Sequence, residues 1–272
     1  MAHVLCPVDF SDLSALALRY AVRLAGCLEA GVAVLYAEPF SPPPYFTPGQ
    51  IASLESEFRE SRRQAAGKLR EFVAQALGPD APQVEIRIAE EAPADAIHRA
   101  AEELGAEAVV MGTHGRTGIN RLMLGSVAER VLRESRIPVL TVRGAERPIR
   151  SILCPVNQTP AAREAAGLAA KLARCFGAQL TLAHVREPGS DSPAVDPCSL
   201  VPAGARSGCD IRELTREGDA AREILALASE SACDLLVVGA QHRPFFDATV
   251  IGATTARVVR HSPCPVLTVA AE

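Results

Sequence analysis

Val109-Val110-Met111-Gly112-Thr113-His114-Gly115-Arg116 is followed by Thr117 to Leu124 and then by Gly125-Ser126-Val127-Ala128-Glu129-Arg130. Val109 to Met111 is a short apolar run stopped by glycine, the pattern of a buried parallel strand at its carboxyl end. Gly112 and Gly115 carry no Cβ, so the backbone there turns tightly and approaches a ligand closely. Gly125 and Ser126 open an amphipathic helix with Val127, Val131 and Leu132 on one side. The first N–H groups of a helix and its positive dipole end suit an anion, and Ser126 adds a hydroxyl at the same place. A strand end, an open loop and a helix N-terminus are together the parts of a phosphate site in an open α/β sheet. The spacing of Gly, two residues, Gly, nine residues, Gly-Ser is neither a P-loop nor a dinucleotide fingerprint.

The rest of the chain agrees with a two-part α/β protein. Its 272 residues are enough for two ordinary domains. Hydrophobic residues make up 48% and aromatic ones only 4%, yet no apolar run is long enough to span a bilayer. Met1 to Leu5 pass directly into a strand, without a basic leader and cleavage site, so the expectation is a cytoplasmic protein. The net charge of -4 gives no electrostatic case for nucleic acid. The 8 cysteines show no C-x-x-C spacing, and the histidines are scattered, so no metal site is read. Cys6 and Cys154 precede prolines on strands, and Cys27 and Cys175 lie late in helices. They read as small buried hydrophobes in a reducing compartment. Cys198 and Cys209 fall in an irregular stretch, the one pair expected to be exposed.

A repeat fixes the organisation. Leu5-Cys6-Pro7-Val8 returns as Leu153-Cys154-Pro155-Val156, an offset of 148 residues. Pro138-Val139-Leu140-Thr141-Val142 returns as Pro265-Val266-Leu267-Thr268-Val269, an offset of 127, so the second copy is 21 residues shorter between these anchors. Gly144 to Pro148 reads as the linker. The expected domains are 1–145 and 146–272. In the first copy, strands at 3–8, 32–37, 84–88, 108–111 and 138–143 alternate with helices. Ser11 is the expected N-cap of the first helix, and Pro93 sits at the start of the third. Alternation of this kind predicts doubly wound parallel sheets with right-handed crossovers. The second copy repeats it, with Thr159-Pro160 at the start of its first helix. Its Pro- and Ser-rich stretch from Pro188 to Gly208 shows no helical period, so the long second helix is expected to be lost.

The glycine spacing and the Ser-Val-Ala-Glu-Arg helix after a fourth strand resemble the nucleotide-binding motif of the ATP-binding universal stress proteins. The tandem layout resembles their two-domain form over essentially the whole chain. The resemblance implies Rossmann-like domains, each a five-stranded parallel sheet of order 3-2-1-4-5. It implies that the fifth strands pair as an internal pseudo-dimer, with a homodimer of chains left open.

It also implies ATP as the ligand, with Mg²⁺ accompanying it. Carried onto this sequence, the contacts fall on Pro7, Val8 and Asp9 after strand one and on Ala37 at the adenine. Met111 and Gly112 line the ribose side, and Gly115, Gly125, Ser126 and Val127 surround the phosphates. Arg116 and Arg121 lie in the loop, facing phosphate oxygens or solvent. Asp9 accepts from a ribose hydroxyl or the adenine amine, holds a water on Mg²⁺, or caps the first helix. The second copy departs from the motif, with His242 at the second glycine position, Ala253 at the serine and Asn157 at Asp9. One nucleotide per chain, in the first copy, is therefore expected. With no P-loop lysine, evident base or carboxylate cluster, no catalytic residue is assigned. The resemblance implies nucleotide-dependent signalling in stress response, and the alternative is a slow ATPase or an autophosphorylating enzyme. It names no protein partner.

Overall fold

The computed structural model describes residues 2–39, 45, 47–115, 124–188, 196–245 and 248–271, of which 48, 50–63, 242–245 and 248–250 are described by backbone alone. The chain divides into two compact units, 1–111 and 112–272.

The first unit contains β1 (His3–Pro7), α1 (Asp12–Leu28), β2 (Gly31–Ala37), α2 (Pro48–Leu77), β3 (Val84–Ala89), α3 (Pro93–Glu103) and β4 (Ala106–Gly112), whose last residue crosses the division. Its strands run parallel in the order β3-β2-β1-β4. Val4, Leu5 and Cys6, Val32 to Leu35, and Ala108 to Val110 are buried throughout, as continuous apolar runs covered on both faces must be. Ser11 caps α1 as expected, its hydroxyl accepting from Ser14 N–H at 3.1 Å. Glu29, in the left-handed region at φ 59°, ends the helix by donating its N–H to Ala25 O. Gly31 opens β2, where a Cβ would come within 3.1 Å of the His3 ring.

The second unit holds α4 (Ser126–Glu134), β5 (Val139–Val142), β6 (Ser151–Pro155), α5 (Pro160–Phe176), β7 (Gln179–Arg186), α6 (Ala203–Arg206), β8 (Asp210–Glu217), α7 (Ala220–Glu230), β9 (Leu235–Ala240), the hairpin strands β10 (His242–Phe245) and β11 (Ala248–Ile251), α8 (Ala253–His261) and β12 (Val266–Ala270). The second copy's own strands take the order β8-β7-β6-β9-β12, which is 3-2-1-4-5. Thr159 caps α5, accepting from Ala162 N–H at 3.2 Å, with Pro160 at its first position. Where the first copy carries the 30-residue α2, the second has a 3₁₀ turn at Pro197–Leu200 and the four-residue α6. The stretch expected to be a plain loop is thus partly helical, because Leu200 and Val201 are buried and draw the chain inward.

The two fifth strands meet within this unit. β5 pairs antiparallel with β12, Val266 opposite Thr141 and Thr268 opposite Val139. The two threonines stand at equivalent repeat positions and donate reciprocally, Thr141 Oγ1 to Val266 O at 3.2 Å and Thr268 Oγ1 to Val139 O at 2.9 Å. Arg143, just past β5, reaches the end of α8. Its Nη1 donates to Arg260 O at 3.0 Å and to Ser262 O at 2.9 Å, and its Nη2 donates to Val259 O. A cation on the last carbonyls of a helix satisfies both the orphan acceptors and the dipole. Substituting Arg143 by alanine should cost about 1.5–3 kcal/mol, as expected for partly buried hydrogen bonds from a charged group. Urea unfolding with an unchanged m-value would measure it.

Cys6, Cys154, Cys233 and Cys264 are buried free thiols, as small apolar side chains would be. Burial alone pushes the Cys154 thiol up to about 12. Cys198 and Cys209 are free and only partly covered. Cys27 and Cys175 correct the sequence expectation, since each is disulfide-bonded.

Candidate functional site

In the first unit, the ends of β2, β1 and β4 lie side by side. Val8 N–H donates to Leu35 O at 2.9 Å, extending the ladder one residue past β1. Asp9 then turns the chain into α1. Its Oδ1 accepts from Ser11 N–H at 3.1 Å and from Ser11 Oγ at 2.6 Å. Phe10 between them takes φ 64°, a region uncommon for a bulky side chain. The Phe10 ring sits on Tyr36 and Phe72, with centroids 4.8 and 5.5 Å away, which holds this turn. Ala37 closes β2 opposite Ala89, and Met111 is buried near the end of β4.

Asn157 makes the same turn in the second copy, its Oδ1 accepting from Thr159 N–H at 3.1 Å and Thr159 Oγ1 at 2.6 Å. Asp9 and Asn157 therefore share one local task, fixing the start of a helix, whatever else each contacts.

In the second unit, Thr113 N–H donates to Val142 O at 3.1 Å, anchoring the start of the glycine loop to β5. The far end of the loop returns to the same residue, because Gly125 N–H donates to Thr113 O at 2.7 Å. A Cβ on Gly125 would sit 3.4 Å from both Thr113 O and His114 Cα, so the two ends of the loop pass in ordinary contact. Gly125 provides α4 with no side-chain cap, and Ser126 is exposed. The uncapped start of α4 is thus held at Thr113 and His114, the two residues between Gly112 and the exposed Gly115. The buried face of α4 is Ala128, Val131 and Leu132, which leaves Val127 half-exposed at the helix start. Arg116 and Arg121 lie outside the described residues.

The second copy carries a cavity of about 850 Å³ at the corresponding strand ends. Its wall includes Val156, Asn157, Thr159, His184, Val185, Val238, Gly252 and Thr254. His184 is 6% exposed. Its Nδ1 donates to Val156 O at 3.0 Å, and its Nε2 has no partner. Gly239 has a different task from that of a loop glycine. A Cβ there would lie 2.6 Å from Ala161 C and 2.7 Å from Ala161 O, so this glycine lets the first turn of α5 press onto β9. Where the first copy has its glycine loop, the second has an antiparallel hairpin with His242 opposite Ile251 and Phe245 opposite Ala248. The sequence reading missed this hairpin; the run Thr249-Val250-Ile251 is β-branched throughout, which was the available signal.

Among the described residues there is no group of three or more metal-ligating side chains, and no helix is long and apolar enough to cross a membrane.

The family model described as "Universal stress protein family" matches residues 1–143 and again 148–270. The chain belongs to the universal stress protein family. A universal stress protein of Mycolicibacterium smegmatis is 26% identical over 286 residues, covering 98% of this chain and 96% of its own. Universal stress protein MJ0531 of Methanocaldococcus jannaschii is 34% identical over 140 residues, covering 52% of this chain and 81% of its own. The crystal structure of a universal stress protein from Archaeoglobus fulgidus matches the fold with a TM-score of 0.74 at 21% identity, covering 98% of both chains. That likeness shows the Rossmann-like fold, and the two matches of the family model show the tandem domains.

Proposed function

We propose that this universal stress protein binds ATP with its phosphates on the loop of the first copy, and that binding, not turnover, is its output in stress response. The observation that supports this is the closure of the glycine loop by Gly125 N–H on Thr113 O, which seats the uncapped start of α4 beside it. Gly115, Gly125, Ser126 and Val127 are the residues we assign to the phosphates, with Met111 and Gly112 on the ribose side. The donor set is backbone N–H and one hydroxyl, which fits a polyanion. Mg²⁺ would arrive with the nucleotide and neutralise phosphate charge. We take residues 1–145 and 146–272 as the functional halves.

Ser126→Ala separates binding from chemistry. Its expected effect is a weakening of ATP binding by about 3- to 10-fold, the value of one ordinary hydrogen bond at an exposed site. Hydrolysis should stay at background in both proteins. Turnover well above background that disappears with Ser126 would favour an ATPase or autophosphorylating enzyme.

The cavity of the second copy favours a second ligand of another kind. Its wall lacks the glycine loop and the serine of the first copy. It suits a small molecule that carries no triphosphate.

A further inference from the structure

Cys233 lies between α7 and β9, and Cys264 lies between α8 and β12. β9 and β12 are parallel neighbours, Leu236 opposite Val266, so the two cysteines enter adjacent strands at the same edge of the sheet. Their sulfurs stand 3.3 Å apart, with Cys233 3% and Cys264 6% exposed. A disulfide needs about 2.05 Å, so the two sulfurs have little more than about 1 Å to close. The surroundings distinguish the two sulfurs. The two thiols share one S–H···S contact, and Ser262 Oγ lies 3.5 Å from the Cys264 sulfur. The Arg143 guanidinium, held on the end of α8, adds positive charge at the same sulfur. The contact with Cys233, aided by the Arg143 charge, outweighs burial and holds the Cys264 thiol below its ordinary range, while the same contact and burial raise Cys233.

We propose that Cys233 and Cys264 form a peroxide-sensitive dithiol that oxidises to an intramolecular disulfide in the second copy. Cys264 is the attacking thiolate. Its sulfur displaces hydroxide from a peroxide, breaking the O–O bond and giving a Cys264 sulfenic acid. Cys233 sulfur then attacks Cys264 sulfur. The S–S bond forms, the S–O bond breaks, and the oxygen leaves as water with the Cys233 proton. Two thiols lose two electrons, and one hydrogen peroxide becomes two waters. The product ties the turn before β9 to the turn before β12, the strand that also carries β5.

The test is differential alkylation and peptide mapping of the folded full-length chain before and after hydrogen peroxide. The expected result is a peptide linking Cys233 to Cys264, two hydrogens lighter, that dithiothreitol reverses. The oxidised chain should melt about 5–10 °C higher than the same chain with this bridge reduced. In Cys233→Ser, Cys264 has no resolving partner and should accumulate a sulfenic acid that dimedone traps. Peroxide that leaves both cysteines as alkylatable thiols, or that links them only in denaturant, would overturn the proposal. So would a Cys264 that dimedone never labels in a folded Cys233→Ser protein.

Discussion

Gly239→Ala lowers the melting temperature by about 6–12 °C. The substitution adds one methyl group, but it adds it 2.6 Å from Ala161 C and 2.7 Å from Ala162 N, atoms of backbone that cannot rotate away. α5 must lift from β9. Overpacking of a built core costs about 1–3 kcal/mol, and a backbone contact belongs at the top of that range. At roughly 2–4 °C per kcal/mol for a domain of this size, the shift follows. The lifted surface is large because α5 approaches the sheet through an alanine face, with Ala161, Ala162, Ala165, Ala166, Ala169 and Ala170 all nearly inaccessible. Gly252→Ala is the matched control. A Cβ there meets nothing within 4 Å and φ is −54°, so the melting temperature should stay within about 2 °C. Equal effects from the two substitutions would show that the Gly239 contact is not what holds α5.

Gly115→Trp acts on binding and spares the fold. Gly115 is exposed, between a loop start anchored on Val142 and the start of α4. An indole there occupies the space in front of the α4 N-terminus, where the phosphates are proposed to lie. ATP affinity should fall by at least about 100-fold, equivalent to about 2.7 kcal/mol, with the melting temperature of the nucleotide-free protein unchanged. Calorimetric titration reads the first and thermal unfolding the second. Unaltered affinity would place the nucleotide elsewhere.

These two glycines show what the sequence does and does not reveal. Both stand near the end of a fourth strand or just beyond it, and both belong to the same repeated motif. A phosphate-facing role for Gly115 was proposable from the sequence, because a loop between a strand and a helix needs a bare backbone to meet an anion. The packing task of Gly239 was not, because it depends on how closely α5 approaches, which is set by residues 77 or more positions earlier. The strands were legible from their apolar runs, and Ser11 and Thr159 as caps from the residue types that accept from a third N–H. Asp9 was read chiefly as a ligand contact. The structure shows that a cap-forming turn at this position recurs with Asn157, so its residue type alone does not distinguish the two tasks. The hairpin β10–β11 was missed because one copy was read through the other. A repeat predicts equivalent elements, and four residues of local strand character were discounted against it. Cys233 and Cys264 are 31 residues apart and carry no motif. Only the parallel pairing of β9 with β12 brings them together.

The central claim is that the first copy is built for a triphosphate and the second is not. Titrating the full-length chain with MgATP and reading the stoichiometry tests it most directly. We predict one site per chain, removed by Gly115→Trp and retained in Ala253→Trp. Two equivalent sites, or one site that survives Gly115→Trp and is lost in Ala253→Trp, would contradict it.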